Sequence, residues 1–301
     1  MHRLRTPLRA LVLAGAFPAA LLAQGEPARI DTTLTLERGG QVHLGIVSGE
    51  IRVTGSDRRD VKISATIDLG RFELTTTSGR IALQTRSVRN RQGPATVIVE
   101  VPVGTRVSAS GVSGDIEVRA TQAEVIARSV SGGVEIRGAR GRADVESVSG
   151  VVALRDAQGD LQVESVSGDV TVEDASGALD VESVSGSIRV RRSRLSELSA
   201  ETVSGSVSYQ GALTATAEVE ISTHSGDVTL TLPANVGATL ELGTFSGRIN
   251  SEFPLTLQPG QQGGRGRRME FTLGNGGARV AAEAFSGNIT IRRGGAAGDQ
   301  E

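Results

Sequence analysis

The stretch Val163-Glu-Ser-Val-Ser-Gly-Asp-Val-Thr-Val-Glu-Asp-Ala-Ser-Gly-Ala-Leu-Asp-Val-Glu-Ser-Val-Ser-Gly186 says one hexad twice, at 163–168 and at 181–186. The same hexad stands at 145–150, and a variant, Ala127-Arg-Ser-Val-Ser-Gly132, lies one step earlier, so the spacing is a constant 18 residues. Working outward, Ser-Gly followed two residues later by Val or Ile defines eleven registers, beginning at Ser48, Ser78, Ser113, Ser131, Ser149, Ser167, Ser185, Ser204, Ser225, Ser246 and Ser286. Several of the longer intervals read as rungs carrying insertions. Behind each Ser-Gly stands an aliphatic column, from Ile51, Ile81 and Ile116 through Val152 and Val170 to Ile249 and Ile289. A second column two residues on includes Val53, Leu154, Val172 and Tyr209.

Apolar residues at every second position, many of them β-branched, are the signature of half-buried strands. A unit of about 20 residues with one strand before Ser-Gly and one after it cannot bury its own apolar face, so it must stack on its neighbours. The expected fold is therefore all-β: a β-solenoid of about 18–21-residue repeats and some eleven to thirteen rungs, with equivalent residues ~4.8 Å apart along the axis. The alternative is a chain of antiparallel β-hairpins, since Ser-Gly between two strands also makes a two-residue turn. The fixed period favours the solenoid, because a coil stacked in register needs rungs of nearly equal circumference.

Stacking gives the identical positions a meaning. Ser129, Ser147, Ser165, Ser183, Thr202, Thr223 and Thr244 form a hydroxyl column, expected to hydrogen-bond up and down the axis. The next position changes from Val130, Val148, Val166, Val184 and Val203 to His224, Phe245 and Phe285, read as a wider cross-section or a cap over the last open edge.

Composition narrows the function. The 301 residues hold 39 Gly, six Phe, one Tyr and no Trp, so the core is built of Val, Ile, Leu and Ala. A net charge of -2 gives no field that would attract nucleic acid, and aromatic stacking residues are scarce. With no cysteine there is no disulfide framework and no thiol nucleophile. Arg3, Arg5 and Arg9 followed by the apolar run Ala10–Ala23 read as a signal peptide over 1–23. That run is shorter than the roughly 20 residues that span a bilayer, so no membrane span is expected after cleavage. The expected organisation continues with a lead-in at 24–39, the repeat domain at 40–292 with a loop insertion at about 258–269, and a tail at 293–301.

The recurring Ser165-Val-Ser-Gly-Asp-Val170 phrase and the ending Gly276-Gly-Ala-Arg-Val-Ala-Ala-Glu-Ala-Phe-Ser-Gly-Asn-Ile-Thr-Ile291 resemble the bacterial putative-adhesin family of β-strand-repeat proteins, domain of unknown function 4097. The resemblance covers roughly residues 40 to 292. It implies an exported all-β protein with an adhesin-like role, and it brings no catalytic residues.

The most suggestive chemistry is the column Glu146, Glu164, Glu182 and Glu201, aligned behind Arg128. Neighbouring carboxylates about 5 Å apart repel by roughly 0.8 kcal/mol in water, so the column favours a counter-ion, and calcium bridging is chemically reasonable. The plainer reading is a solvated face balanced by Arg189, Arg191 and Arg192. Asp115, Asp169 and Asp227, which follow Ser-Gly, lack the spacing of calcium-binding nonapeptide rolls and read as turn residues. His43 and His224 are too far apart in the repeat order for a metal site, and the serines repeat too often to be one nucleophile. Arg265, Arg267 and Arg268, in the Gly-rich break, are candidates for contact with anionic glycans or headgroups.

These features point to an exported, non-enzymatic scaffold or adhesin-like surface in the periplasm or outside the cell, whose partner is an envelope glycan or protein surface. Two alternatives stand beside it: a polysaccharide-acting β-helix enzyme, and an accessory subunit of an envelope signalling or transport system. The fold reading predicts a far-UV circular-dichroism spectrum dominated by β-structure; substantial helix would overturn it.

Overall fold

The computed structural model describes residues 27–89, 91–254 and 267–294. The signal peptide expected at 1–23, most of the insertion expected at 258–269 and the end of the chain lie outside the described residues. Among the described residues every regular element is a strand, and all of them join one sheet.

The repeated stretch sets the pattern. Strand Gln158–Ser165 lies parallel between Arg140–Ser147 on one side and Ser176–Ser183 on the other. The register is the 18-residue offset itself: Val145 faces Val163, which faces Val181, and Glu146, Glu164 and Glu182 align likewise. After the Ser-Gly corner, Val152–Arg155, Val170–Glu173 and Ile188–Ser204 form a second parallel ladder. The chain is thus a β-solenoid with one strand of each rung before the corner and one after it. Inward residues such as Leu161, Val163, Val170 and Val172 are buried, and their outward neighbours are not. Burying each such side chain stabilises the fold by ~2 kcal/mol.

The corner is glycine for a steric reason. A Cβ built on Gly168 would lie well inside 3.0 Å of the carbonyl oxygen of Gly150, and one on Gly186 would meet that of Gly168 in the same way. The same contact runs from Gly49 through Gly114, Gly132 and Gly150 to Gly205 and Gly226. A second turn closes the rung elsewhere, where Gly138, Asp156, Asp174 and Arg192, spaced by 18, all adopt left-handed φ between 50 and 76°.

Four features go beyond or against these expectations. First, the last rungs do not stack in chain order. The C-terminal strand Ala278–Ser286 inserts between Val207–Ser225 and Ala238–Thr244, so the stacked corners run Gly226, Gly287, Gly247. Insertion lets the chain's last repeat complete both ladders while Ala238–Thr244 turns its free edge to the antiparallel strand Arg267–Leu273. Residues 267–269, at the end of the span read as a loop, therefore begin a strand.

Second, the Ser78 register is not a rung. Ser78-Gly79 sits in a hairpin turn, with Thr77 N donating to Arg80 O at 2.8 Å, between the antiparallel strands Arg71–Thr76 and Arg80–Arg86. The hairpin alternative is correct at this one corner. Ile81 consequently pairs with Val42 and not with Ile51.

Third, the lead-in is structured: Ala28–Thr35 pairs antiparallel with Asp60–Ile67, which in turn pairs antiparallel with Ala95–Pro102. Antiparallel strands thus cover the parallel stack at both ends. That placement suits the need of an open sheet to protect its terminal hydrogen-bonding groups.

Fourth, the hydroxyl column exists without the axial ladder of hydrogen bonds. Ser165 Oγ donates to Gly168 O at 3.2 Å within its own corner, whereas Thr223 Oγ1 donates to Gly205 O of the rung below at 3.2 Å. Ser147 and Ser165 thus bond within their own corners, Thr202, Thr223 and Thr244 bond to the carbonyl of a neighbouring corner, Ser129 and Ser183 have no partner among the described residues, and none bonds to another. At the end of the stack Ala284 interrupts the column between Thr223 and Thr244.

Gly168→Ala is expected to lower stability by roughly 3 kcal/mol because adjacent rungs must part. Gly79→Ala, where nothing lies within 4 Å of the built Cβ, is expected to be near neutral. Urea unfolding of the two variants checks the contrast; equal effects would refute the stacking explanation.

Candidate functional site

The Ser-Val-Ser-Gly corner builds a long surface groove. In each central rung the residue before the inward Ser and the residue after it both point outward, as period-two alternation requires. Glu146 and Val148 thus flank Ser147, Glu164 and Val166 flank Ser165, and Glu182 and Val184 flank Ser183. Stacked, they form a groove of about 820 Å³ with a carboxylate wall, a valine wall and a floor at the Ser and Thr positions between them, whose side chains turn inward. It runs from Ile46 to His224 across eight rungs, roughly 34 Å at the spacing of hydrogen-bonded strands.

The valine wall is exposed along its length, with Val148 at 42% and Val184 at 50%. It continues into aromatic rings: His224 stacks on Phe285 at 4.8 Å, and Phe285 on Phe245 at 4.9 Å. The rings follow the spatial order of the rungs and lie outside the corner, so they neither widen the core nor cap it. Capping at that end falls to Arg267–Leu273.

The structure brings Glu146, Glu164, Glu182 and Glu201 into one column, with Arg128 before Glu146 and Ser222 after Glu201. Arg128 pairs with Glu146 at 2.8 Å, and this hydrogen bond holds the Glu146 carboxyl below the usual carboxylate range. Glu164, Glu182 and Glu201 have no ion pair among the described residues. The Glu164 carboxyl is pushed up, first by burial and then by the charges of Glu146, Glu182, Asp144 and Asp180. The arginines expected to balance this face lie on the other ladder: Arg189 pairs with Asp169 at 2.8 Å and Arg192 with Asp174 at 2.9 Å. Among the described residues no group of three or more His, Asp or Glu side chains is gathered closely enough to hold a metal ion.

The other candidates fall into place. Asp115, Asp169 and Asp227 reach forward to the next rung in space: their Oδ1 atoms accept from Gly133 N, Ser187 N and Asn288 N at 2.8–2.9 Å. Turn chemistry alone misses this, because each Asp staples two rungs together. His43 lies 3.0 Å from Ser108 Oγ, its pKa lowered by burial and by Arg80, and is remote from His224. Tyr209 is buried, with its hydroxyl donating to Ala212 O at 2.9 Å, and offers no platform to a sugar. Arg265 lies outside the described residues, while Arg267 and Arg268 pair with Thr244 and Gly243 in the terminal strand. The valine wall escaped the sequence reading as a surface, because Val alternating with Ser resembles core.

The molecule is a β-solenoid with a continuous lateral groove. The chain belongs to the Toastrack DUF4097 family, whose profile matches residues 90–292. Similar solved structures include a putative lipid binding protein from Parabacteroides distasonis, at 15% identity and TM-score 0.48 over 90% of this chain and 98% of that one. A putative adhesin from Bacteroides fragilis aligns at 12% identity and TM-score 0.40, covering 88% and 97%. A putative cell adhesion protein from Clostridium sporogenes gives 11% and 0.27, covering 89% and 100%. No curated protein matches the chain. Among the described residues no helix is long and apolar enough to cross a membrane.

The raised Glu164 pKa fixes a sign. A carboxyl whose folded pKa lies above its unfolded value makes its ionisation oppose folding, so that contribution to stability is lost as pH rises through the folded pKa. Glu164→Gln is expected to raise Tm by ~1 °C at neutral pH, a gain that vanishes well below the 4.5 of a free glutamate. Thermal unfolding across this range checks it, and a lowered Tm at neutral pH would contradict it.

Proposed function

We propose that the protein is an exported, non-catalytic binding scaffold of the cell envelope whose corner groove holds an elongated partner along the solenoid axis. The observation that carries this is the groove itself: one carboxylate wall and one valine wall repeated over successive rungs, open along its length. Repetition favours many equivalent weak contacts over one reacting centre. General acid-base catalysis needs two carboxyls in environments that separate their roles; Glu146 is set apart by its ion pair with Arg128, and Glu164, Glu182 and Glu201 stand exposed on one open wall. Exposed apolar side chains arranged as a continuous stripe mark interaction surfaces more often than chance scatter does. Export is supported by the basic, apolar and polar succession of the first residues.

The test is an array of defined envelope glycans and cell-wall fragments, read with the wild-type chain and with Val166→Asp/Val184→Asp. Both valines are exposed, so the variant retains the fold, and thermal unfolding verifies this. Specific binding lost in the variant is the expected result. Binding unaffected by the variant, or turnover of a polysaccharide abolished by one Glu→Ala change in the column, would overturn the proposal.

A further inference from the structure

We propose that two copies of this chain join through their N-terminal ends, an inference that rests on the fold and not on the groove. Outward from Gln41–Ser56, the strands after the corner continue through Ala95–Pro102 and Asp60–Ile67 to Ala28–Thr35. The strands before the corner continue through Arg80–Arg86 only to Arg71–Thr76. Ala28–Thr35 therefore stands one strand, ~4.8 Å, beyond Arg71–Thr76, and this end of the molecule is a step. Among the described residues each of these two strands pairs on one side only, so both present a row of free N–H and C=O groups.

The step leaves part of the core uncovered. Ile30 and Leu34 on the projecting strand, and Phe72 and Leu74 on the other, pack against the core yet are only half-buried. The opposite end is closed: Phe271 is 1% exposed, and Phe253, 6% exposed, lies under the Arg293 guanidinium at 5.2 Å. Natural sheets blunt a solvent-facing edge with proline, bulges or inward charges. Residues 28–35 and 71–76 contain no proline, their registers are unbroken, and their charged residues, Arg29, Asp31, Arg71 and Glu73, all stand on the exposed face.

The shape selects the partner. A step is its own complement under a twofold axis along the strands, so a second copy sets its projecting strand in the recess beyond Arg71–Thr76 and receives the first copy's strand in return. Each Ala28–Thr35 then pairs with Arg71–Thr76 of the other copy, and Ile30 and Leu34 of both copies face one another across the core as an added rung. Each strand carries one basic and one acidic residue on its exposed face, so joining brings no net charge together. An eight-residue strand is roughly 26 Å long and two ladders with their side chains roughly 20 Å across, so each copy buries about 500 Å². The total of about 1,000 Å² reaches the size of a specific interface. A single extended peptide pairs with one edge and leaves the other level of the step open.

Sedimentation velocity of the exported chain tests the proposal. A reversible monomer–dimer equilibrium in the micromolar range is expected for an interface of this size. Ile30→Lys, which puts a charge on the inward side of the edge, is expected to raise the dimer dissociation constant roughly ten-fold or more. Thr272→Lys, on the exposed face of the terminal strand at the opposite end, leaves it unchanged. Thermal unfolding of both variants verifies the fold. Amide hydrogen exchange of the unsubstituted chain gives a readout that needs no variant: residues 28–35 and 71–76 gain protection as protein concentration rises. A monomer at every concentration, oligomers that grow beyond two copies, or a dimer that Ile30→Lys leaves intact would overturn the proposal. So would protection of these amides that is independent of concentration, which would assign the edges to a segment of the same chain.

Discussion

The structure depends on one close approach, the backbone of each corner glycine resting on the carbonyl of the glycine in the rung beneath. No side chain fits between them, so a glycine at every corner lets the rungs come to hydrogen-bonding distance on both ladders at once. Once that distance is set, parallel register follows, inward Val, Leu and Ile meet their counterparts, and a core nearly free of aromatic residues closes. The regular inward packing also obliges the alternate positions to point outward in columns. Groove and core are two faces of the same constraint.

A parallel stack leaves unpaired strands at its two ends, and the protein meets this with antiparallel strands. Near the N-terminus Asp60–Ile67 and Ala28–Thr35 extend one ladder while Arg71–Thr76 covers the other. Near the C-terminus Arg267–Leu273 covers Ala238–Thr244. The reversal of order among the last rungs belongs to the same solution. The final repeat lies inside the stack, held by Asp227 Oδ1 to Asn288 N on one side and by Asn288 Oδ1 accepting from Arg248 N on the other. The end of the described chain is thereby covered on both sides by earlier rungs.

Charges divide between the two ladders. The strands after the corner carry matched pairs such as Arg155–Glu173 at 3.1 Å and Arg192–Asp174, which are satisfied within the protein. The strands before it carry the carboxylate column, ion-paired among the described residues only at Glu146. The same period that aligns complementary residues on one ladder aligns like residues on the other. That asymmetry, beside an exposed apolar stripe, distinguishes the groove from an ordinary solvated face.

Much of this was legible in the repeat. Val163 and Val181, Ser165 and Ser183, and Glu164 and Glu182 occupy equivalent places because an 18-residue offset leaves no other register, and the β-branched alternation fixes which residues face inward. Ser78 shows the limit, since Ser-Gly between two strands is compatible with a stacked corner and with a hairpin, and the choice falls to what lies alongside. Val166 and Val184 show another, because alternation turns them outward beside an inward hydroxyl without saying that, stacked, they line a groove with the glutamates. The sequence by itself determined the period, the inward columns and the alignment of the carboxylates, all local consequences of strand alternation. Only the tertiary structure decided the order of the last three rungs, the capping at both ends, the forward reach of Asp169 and the merging of the Glu, Ser and Val columns into one groove. Those depend on which backbone edges meet in space, and residues 65 positions apart, such as Ser48 and Ser113, meet there.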